Sequence, residues 1–294
     1  MMKFRRIYYL LALLTGLILI NSCKKEVTDK IPQQDKKLVV SGFISPSDDS
    51  VRVILSFSRP YYNQGSNDLD SRKQLSTSLV TISDGNVSVN LKWDNNKKYF
   101  SLPETEFPII AGSEYILKIL TTDGKEAEAK TIVPEMPQQT EFEVMGLKPS
   151  KNRVPGYKSQ KCRFALADPV SSENFYRFTL VKRTVTNGIP GFAKLGDIFF
   201  TDKNRDGTVI KEFVEYDLSL ELQQNTPTAD TNFYHDAYFI SGSKEYNLFH
   251  ESLERNNLTE DNPFAEPNNI YSNVRGGYGI FAGFNQVVMT KEIK

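Results

Sequence analysis

Histidine and cysteine are almost missing from this chain. In 294 residues His occurs only at positions 235 and 250, and Cys only at 23 and 162. A zinc centre built on His and Cys needs three or four such ligands, so this composition argues against one. A Ser-His-Asp hydrolase needs a histidine beside its nucleophile, but neither NFYHDAYF, around His235, nor the stretch around His250 carries a supporting signature. No G-x-S-x-G elbow occurs either. His235 and Asp236 are neighbours in sequence, so on a strand their side chains point to opposite faces. Charge of one sign is also lacking: 36 Lys and Arg balance 36 Asp and Glu, which leaves no basic footprint for nucleic acid. The expectation is a protein that is not an enzyme. A hydrolase with an unrecognised site is the alternative, because the many acidic residues could supply two apposed carboxylates.

Long apolar runs are absent except at the start. Lys3, Arg5 and Arg6 precede Ile7 to Ile20, a run too short to span a bilayer comfortably. It ends in LILINSCKKE, where Ile20-Asn21-Ser22-Cys23 resembles the bacterial lipobox. That resemblance implies cleavage before Cys23 and acylation of its thiol, with palmitate-type chains worth about 0.8 kcal/mol per buried CH2. Residues 1–22 are then a signal peptide, and 23–37, polar and without periodicity, a flexible tether to a membrane. Without Lys3, Arg5 and Arg6 the balance is 33 basic against 36 acidic residues. Only Cys162 would remain as a thiol. Alternation puts Cys162, Phe164 and Leu166 on one face, which marks a core position rather than a nucleophile.

What the chain does have is aromatic residues and alternation. Nineteen Phe and 14 Tyr suit β-sheet. In SVRVILSFS, Val51, Val53, Leu55 and Phe57 alternate with polar neighbours. Asp84-Gly85, between SLVTIS and NVSVNLKW, and Asp123-Gly124, between EYILKILT and KEAEAKTIV, read as hairpin turns. The fold class is mainly β. An N-terminal immunoglobulin-like or transthyretin-like antiparallel sandwich is expected over 38–135, and a second β-rich domain with one short helix over 136–294. Val133-Pro-Glu-Met-Pro137 marks the boundary. The interruption from Arg59 to Thr77 carries Tyr61-Tyr62, either a ligand or partner contact surface or a loop packed on its own sandwich.

Beyond the boundary, EFEVMG, CRFALA, NFYRFTLVKRT, DIFFTD and VIKEFVEYDL read as strands. Ser243 can cap a helix with Glu245 in its first turn and Tyr246, Phe249 and Leu253 at helical spacing, ended by Asn256-Asn257. Gly276, Gly277, Gly279 and Gly283 among aromatics predict a bulged, closely packed terminal strand pair.

One motif carries metal chemistry. Asp202-Lys-Asn-Arg-Asp-Gly-Thr208 resembles the start of a calcium loop, with oxygen ligands on Asp202, Asn204 and Asp206 and a turn at Gly207. The twelfth position is Phe213 instead of Glu, however, and the flanks look like strands. A metal-free hairpin tip is the favoured reading, so no cofactor is expected, with calcium as the alternative. Trp93 could stack on a sugar ring, yet it ends an alternating strand and is expected in the core. Asp49-Ser50-Val51 is similar to bacterial O-glycosylation sites.

Taken in order, the lipobox, LVVSGFIS, SFSRPY, the Tyr-bearing helix, Asn262-Pro-Phe-Ala-Glu-Pro267 and Ser272-Asn-Val-Arg-Gly-Gly-Tyr-Gly-Ile-Phe281 resemble the DUF4249 family of Bacteroidota lipoproteins. The resemblance spans nearly the whole chain after Cys23. It implies no catalytic residue. It implies instead a lipid-anchored protein of the outer membrane, facing periplasm or cell surface, as an accessory binding module of a TonB-dependent transporter. Direct binding of a glycan or small ligand is the alternative.

Overall fold

The computed structural model describes residues 35–59, 73–150, 158–170, 173–218, 231–259 and 269–293. In its first half run β1 (Leu38–Ile44), β2 (Ser50–Phe57), β3 (Leu79–Ser83), β4 (Ser88–Asn90), β5 (Lys92–Asp94), β6 (Tyr99–Pro103), β7 (Glu114–Leu120) and β8 (Glu126–Ile132). Then come β9 (Gln138–Val144), β10 (Lys148–Pro149), β11 (Lys158–Ala167), β12 (Phe175–Thr186), β13 (Ile189–Thr201) and β14 (Val209–Leu218). The chain closes with β15 (Thr231–Gly242), helix α1 (Lys244–Thr259) and β16 (Tyr278–Glu292). The molecule is mainly β, as the alternation predicts.

Alternation turns directly into burial. Along β2, Val51, Val53, Leu55 and Phe57 are buried, while Arg52 and Ile54 between them are exposed. Cys162, Phe164 and Leu166 on β11 are fully buried together, as their spacing requires. Burial pushes the Cys162 thiol up to about 12, so it is inert as a nucleophile at neutral pH. Trp93 is partly buried against the core, 5.1 Å from Phe100, with its indole N–H donated to Asn95 Oδ1.

Three sheets result. The largest has eight strands in the order β13-β12-β15-β16-β1-β2-β6-β5, and two smaller ones are β4-β3-β7-β8 and β10-β11-β14 with β9 beside β11. Leu38, Val40 and Val53 of the large sheet share a core with Val80, Leu117 and Ala129 of the β4-β3-β7-β8 sheet. Phe178, Leu180 and Phe239 of its other half share a second core with Phe142, Cys162 and Phe164. A small third cluster, Ile240, Tyr246, Ile280 and Ala282, lies where α1 meets the sheet.

Several local expectations change in detail. The Asp84-Gly85 turn occupies four residues, because Ser83 pairs with Ser88 and the Asp84 carboxylate accepts the Asn86 and Val87 N–H groups. Gly85 there has φ 90°. Helix α1 is capped by Ser243, whose hydroxyl accepts the Tyr246 N–H, but it runs past Asn256-Asn257 to Thr259. The closing glycine-rich segment forms one 15-residue strand, not a strand pair.

That strand decides the topology. The first part of β16 pairs with β1 in parallel, Val39 opposite Tyr278 through Ile44 opposite Gly283. Its remainder pairs antiparallel with β15, Gly242 opposite Phe284 through Tyr234 opposite Glu292. The large sheet therefore crosses the Val133–Pro137 segment and draws strands from both sides of it. Parallel pairing needs no hairpin between its partners and leaves no turn signal in the sequence. Gly279 (φ 110°) lets β16 approach β1, since a side chain there would run into the Val40 backbone. Among the described residues no helix is long and apolar enough to cross a membrane.

Candidate functional site

The motif with calcium-like spacing forms the turn between β13 and β14. Asp202 is buried, Asp206 is exposed, and Asn204 is exposed at φ 66°, a left-handed turn position that Asn tolerates. The third carboxylate beside Asp202 and Asp206 comes from Asp168, just after β11; one oxygen of each lies within 4.8 Å of the others. Sequence spacing around Asp202 could not reveal Asp168, because only the pairing of β11 with β14 carries it there.

The same oxygens already serve the fold. Asp168 accepts hydrogen bonds from the Tyr176 hydroxyl at 2.5 Å, Asn174 Nδ2 at 3.3 Å and the Gly207 N–H at 2.9 Å. Asp202 accepts from the Asn174 N–H at 3.0 Å and from its Nδ2 at 3.3 Å. Burial, and after it the neighbouring Asp168 and Asp206 charges, raises the Asp202 carboxyl above its ordinary range. Three oxygens at this spacing could surround one hard cation. Their protein partners make them, in addition, a staple between the 202–208 turn and the start of β12.

Beside this staple opens a cleft of about 690 Å3. One wall is the Val133–Gln138 connection, another is Asn174 to Tyr176, and the third is the capped start of α1 from Ser241 to Glu245. Met136, Pro134 and Phe175 give it apolar surface; Glu135, Glu173 and Glu245 ring it with carboxylates. In sequence the proline segment marks a boundary. It lines a wall here because Asn285 of β16 donates its amide to the Pro134 carbonyl at 3.3 Å.

The two histidines are set into aromatic surroundings. His235 Nε2 lies 2.5 Å from the Tyr216 hydroxyl, which donates onward to Gln160 at 2.7 Å. His250, on α1, stacks on Phe43 at 5.4 Å and packs against Tyr246 at 4.4 Å. Burial pushes each down to about 4, with a nearby cation as the second cause, Lys182 for His235 and Arg177 for His250. Both are therefore neutral at pH 7. Asp236 faces the other side of β15 from His235 and takes two bonds from Arg183 and one from Thr290. Asp197 holds Arg177 in a two-pronged pair and also accepts from Thr179, while Arg177 donates to the Tyr246 hydroxyl of α1 at 3.0 Å. Burial opposes the Asp197 charge, yet the Arg177 bonds outweigh it and hold that carboxyl below its ordinary range.

The Ser272–Phe281 motif works as a clamp. Arg275 exchanges backbone hydrogen bonds with Glu128 on the edge of β8, N to O at 2.8 Å and 3.0 Å. Asn273 donates its amide to the Lys130 carbonyl at 3.1 Å and the Phe281 carbonyl at 2.7 Å, and accepts the Phe281 N–H at 3.0 Å. One side chain thus ties β8 to β16 and covers part of a sheet edge. The residues that carry the resemblance are structural in this segment.

Four sequence features lie outside the described residues: Cys23 with the signal peptide, residues 24–34 of the tether, Tyr61-Tyr62, and Asn262 to Pro267. Ser50 of the Asp49-Ser50-Val51 triplet donates to the Asp49 carboxylate at 2.7 Å, at the exposed start of β2. A family model described as Domain of unknown function (DUF4249) matches residues 24–290. No curated protein matches the chain.

Proposed function

Since the chain belongs to the DUF4249 family, described without an activity, we propose that it is a non-catalytic, lipid-anchored outer-membrane protein that works by binding, as an accessory module of a TonB-dependent transporter. The observation that carries the non-catalytic part is the commitment of both histidines to the fold: each is neutral, packed among aromatic rings and away from an open nucleophile. Asp197 and Asp236 are likewise tied to arginines. For a general acid or base, a group must reach substrate with a pKa near the working pH.

The anchor rests on the lipobox at Cys23 and the polar stretch behind it. Support for a protein partner comes from the β12–β13 hairpin, whose tip exposes Ile189 (72%) and Phe192 (64%) on an uncharged edge, Ile189 to Ala193. Apolar side chains clustered at an exposed hairpin tip suit contact with another protein. The test is a mild-detergent pull-down of the tagged protein from its native outer membrane, with mass spectrometry and a Cys23→Ala control. A stoichiometric transporter barrel, lost in the control, is the expected result. Recovery of the protein alone would reject the accessory role and leave direct ligand binding, favoured by the cleft beside α1, as the working reading.

A further inference from the structure

Where the second core ends, the inner face of the large sheet carries a row that the functions above do not use. Lys182 on β12 lies directly opposite His235 on β15, and His235 directly opposite Lys291 on β16. All three continue the core-facing parity set by Leu180, Ala237 and Met289. Adjacent strands are about 4.8 Å apart, which puts the two lysine backbones about 10 Å from each other with the histidine between them. The ammoniums reach over rings, Lys182 at 4.4 Å from the Phe233 centroid and Lys291 at 5.6 Å from that of Phe142. Among the described residues neither has a carboxylate partner. Two cations flanking one residue repel each other, Lys182 half-buried beside Phe233 and Lys291 exposed at the open end of the row.

From the opposite sheet, Tyr216 and Gln160 close the row with hydroxyl and amide groups, and Phe142 packs 6.4 Å from His235. Asp236, the nearest acid in sequence, points to the other face and is held by Arg183. Such an arrangement lacks one thing, a negative charge.

We propose that Lys182 and Lys291, with the His235–Tyr216 pair between them, form a binding site for the oxyanion of a small ligand, a phosphate or a carboxylate. Each ammonium would give it a charge-assisted hydrogen bond, and Phe142 and Phe233 would flank whatever apolar part the ligand carries. The site does not depend on the membrane partner proposed above.

With only two histidines in the chain, the imidazole signals report on it directly. The full chain in a non-ionic detergent, labelled at histidine, is titrated with inorganic phosphate and separately with propionate, each against sodium chloride at matched ionic strength. A saturable shift of the His235 signal with one of them, His250 staying put, is the expected result, and the more effective probe names the ligand class. In the double variant Lys182→Met, Lys291→Met the same shift should need at least tenfold more anion. The proposal falls if His235 does not move, if chloride moves it equally, or if the double variant responds like the wild type. The chloride comparison decides the matter even if that variant does not fold.

Discussion

The half of the molecule built on β1 to β8 and the half built on β9 to β15 bury different chemistry. In the first, the core is mostly aliphatic, with Val40, Val53, Ile82, Leu102 and Leu117 fully enclosed. Its ion pairs, such as Lys130–Glu114 and Lys92–Glu106, sit on the surface. In the second, stacked phenyl rings such as Phe164 and Phe178, 4.9 Å apart, share the interior with a neutral histidine. Arginine–aspartate pairs lie on the outer side of the same sheet, Arg177–Asp197 against α1. Surface ion pairs contribute roughly 0–1 kcal/mol, whereas a buried charge that loses its partner is strongly destabilising. One region is therefore held mainly by apolar packing. The other also depends on protonation states and on specific partners, which is where ligand recognition can be written.

Acid should separate the two most. His235 belongs to the second region, while His250 sits on α1, stacked on Phe43 of β1; the folded pKa of each, near 4, is below the ordinary 6.5. Above pH 6.5 they are neutral folded or unfolded and contribute nothing. As pH falls from 6.5 to 4 the unfolded chain takes up protons that the folded one refuses, so stability should drop, on the order of 3 kcal/mol per histidine. Denaturant melts at pH 7 and pH 4.5, repeated with His235→Gln, check this; a flat profile would remove the asymmetry. Arg177→Ala should follow, at about 3 kcal/mol, because it leaves the Asp197 carboxylate, only 7% exposed, without its bidentate partner. Its readout is the urea midpoint, together with faster hydrogen exchange in α1, which Arg177 holds through Tyr246.

Asn273→Ala probes the clamp between β8 and β16 within the first region, where Phe281 joins the aliphatic core. Three hydrogen bonds from one amide disappear, and a loss of about 2 kcal/mol is expected, with exchange protection falling at Lys130 and Phe281 together. If only one strand loosened, the clamp would belong to that strand alone. The smallest effect, below about 1 kcal/mol, is expected for Lys130→Ala, since its pair with Glu114 stands in solvent. A loss as large as that of Arg177→Ala would abolish the distinction between the regions.

Much of the first region was legible in sequence because its signals are local. Val51 to Phe57 alternate within one strand, and Gly124 (φ 81°) closes its hairpin between Leu120 and Glu126. The strands of the second region are legible one by one except β15, whose run carries apolar residues on both faces, Ala237 and Phe239 on one and Tyr238 and Ile240 on the other, and so shows no clean alternation. The candidate sites were the least legible. Asp168 meets Asp202 and Asp206, and Lys182 meets His235 and Lys291, only through registers between strands far apart in the chain. A register leaves no mark in either strand taken by itself.

The sequence alone determined what depends on near neighbours. It settled the β class, the positions of turns and of the Ser243 cap, the burial of Cys162 with Phe164 and Leu166, and the family to which the chain belongs, because periodicity, φ preference and motif order are properties of short stretches. The tertiary structure decided that one strand, β16, joins β1 in parallel and β15 in antiparallel fashion, and so set the two cores on a single sheet. It also decided which charges meet a partner and which, like Lys182 and Lys291, face one another across a histidine. Those outcomes depend on distances between residues far apart in the chain, which only the folded chain brings within reach of Coulomb and hydrogen-bond forces.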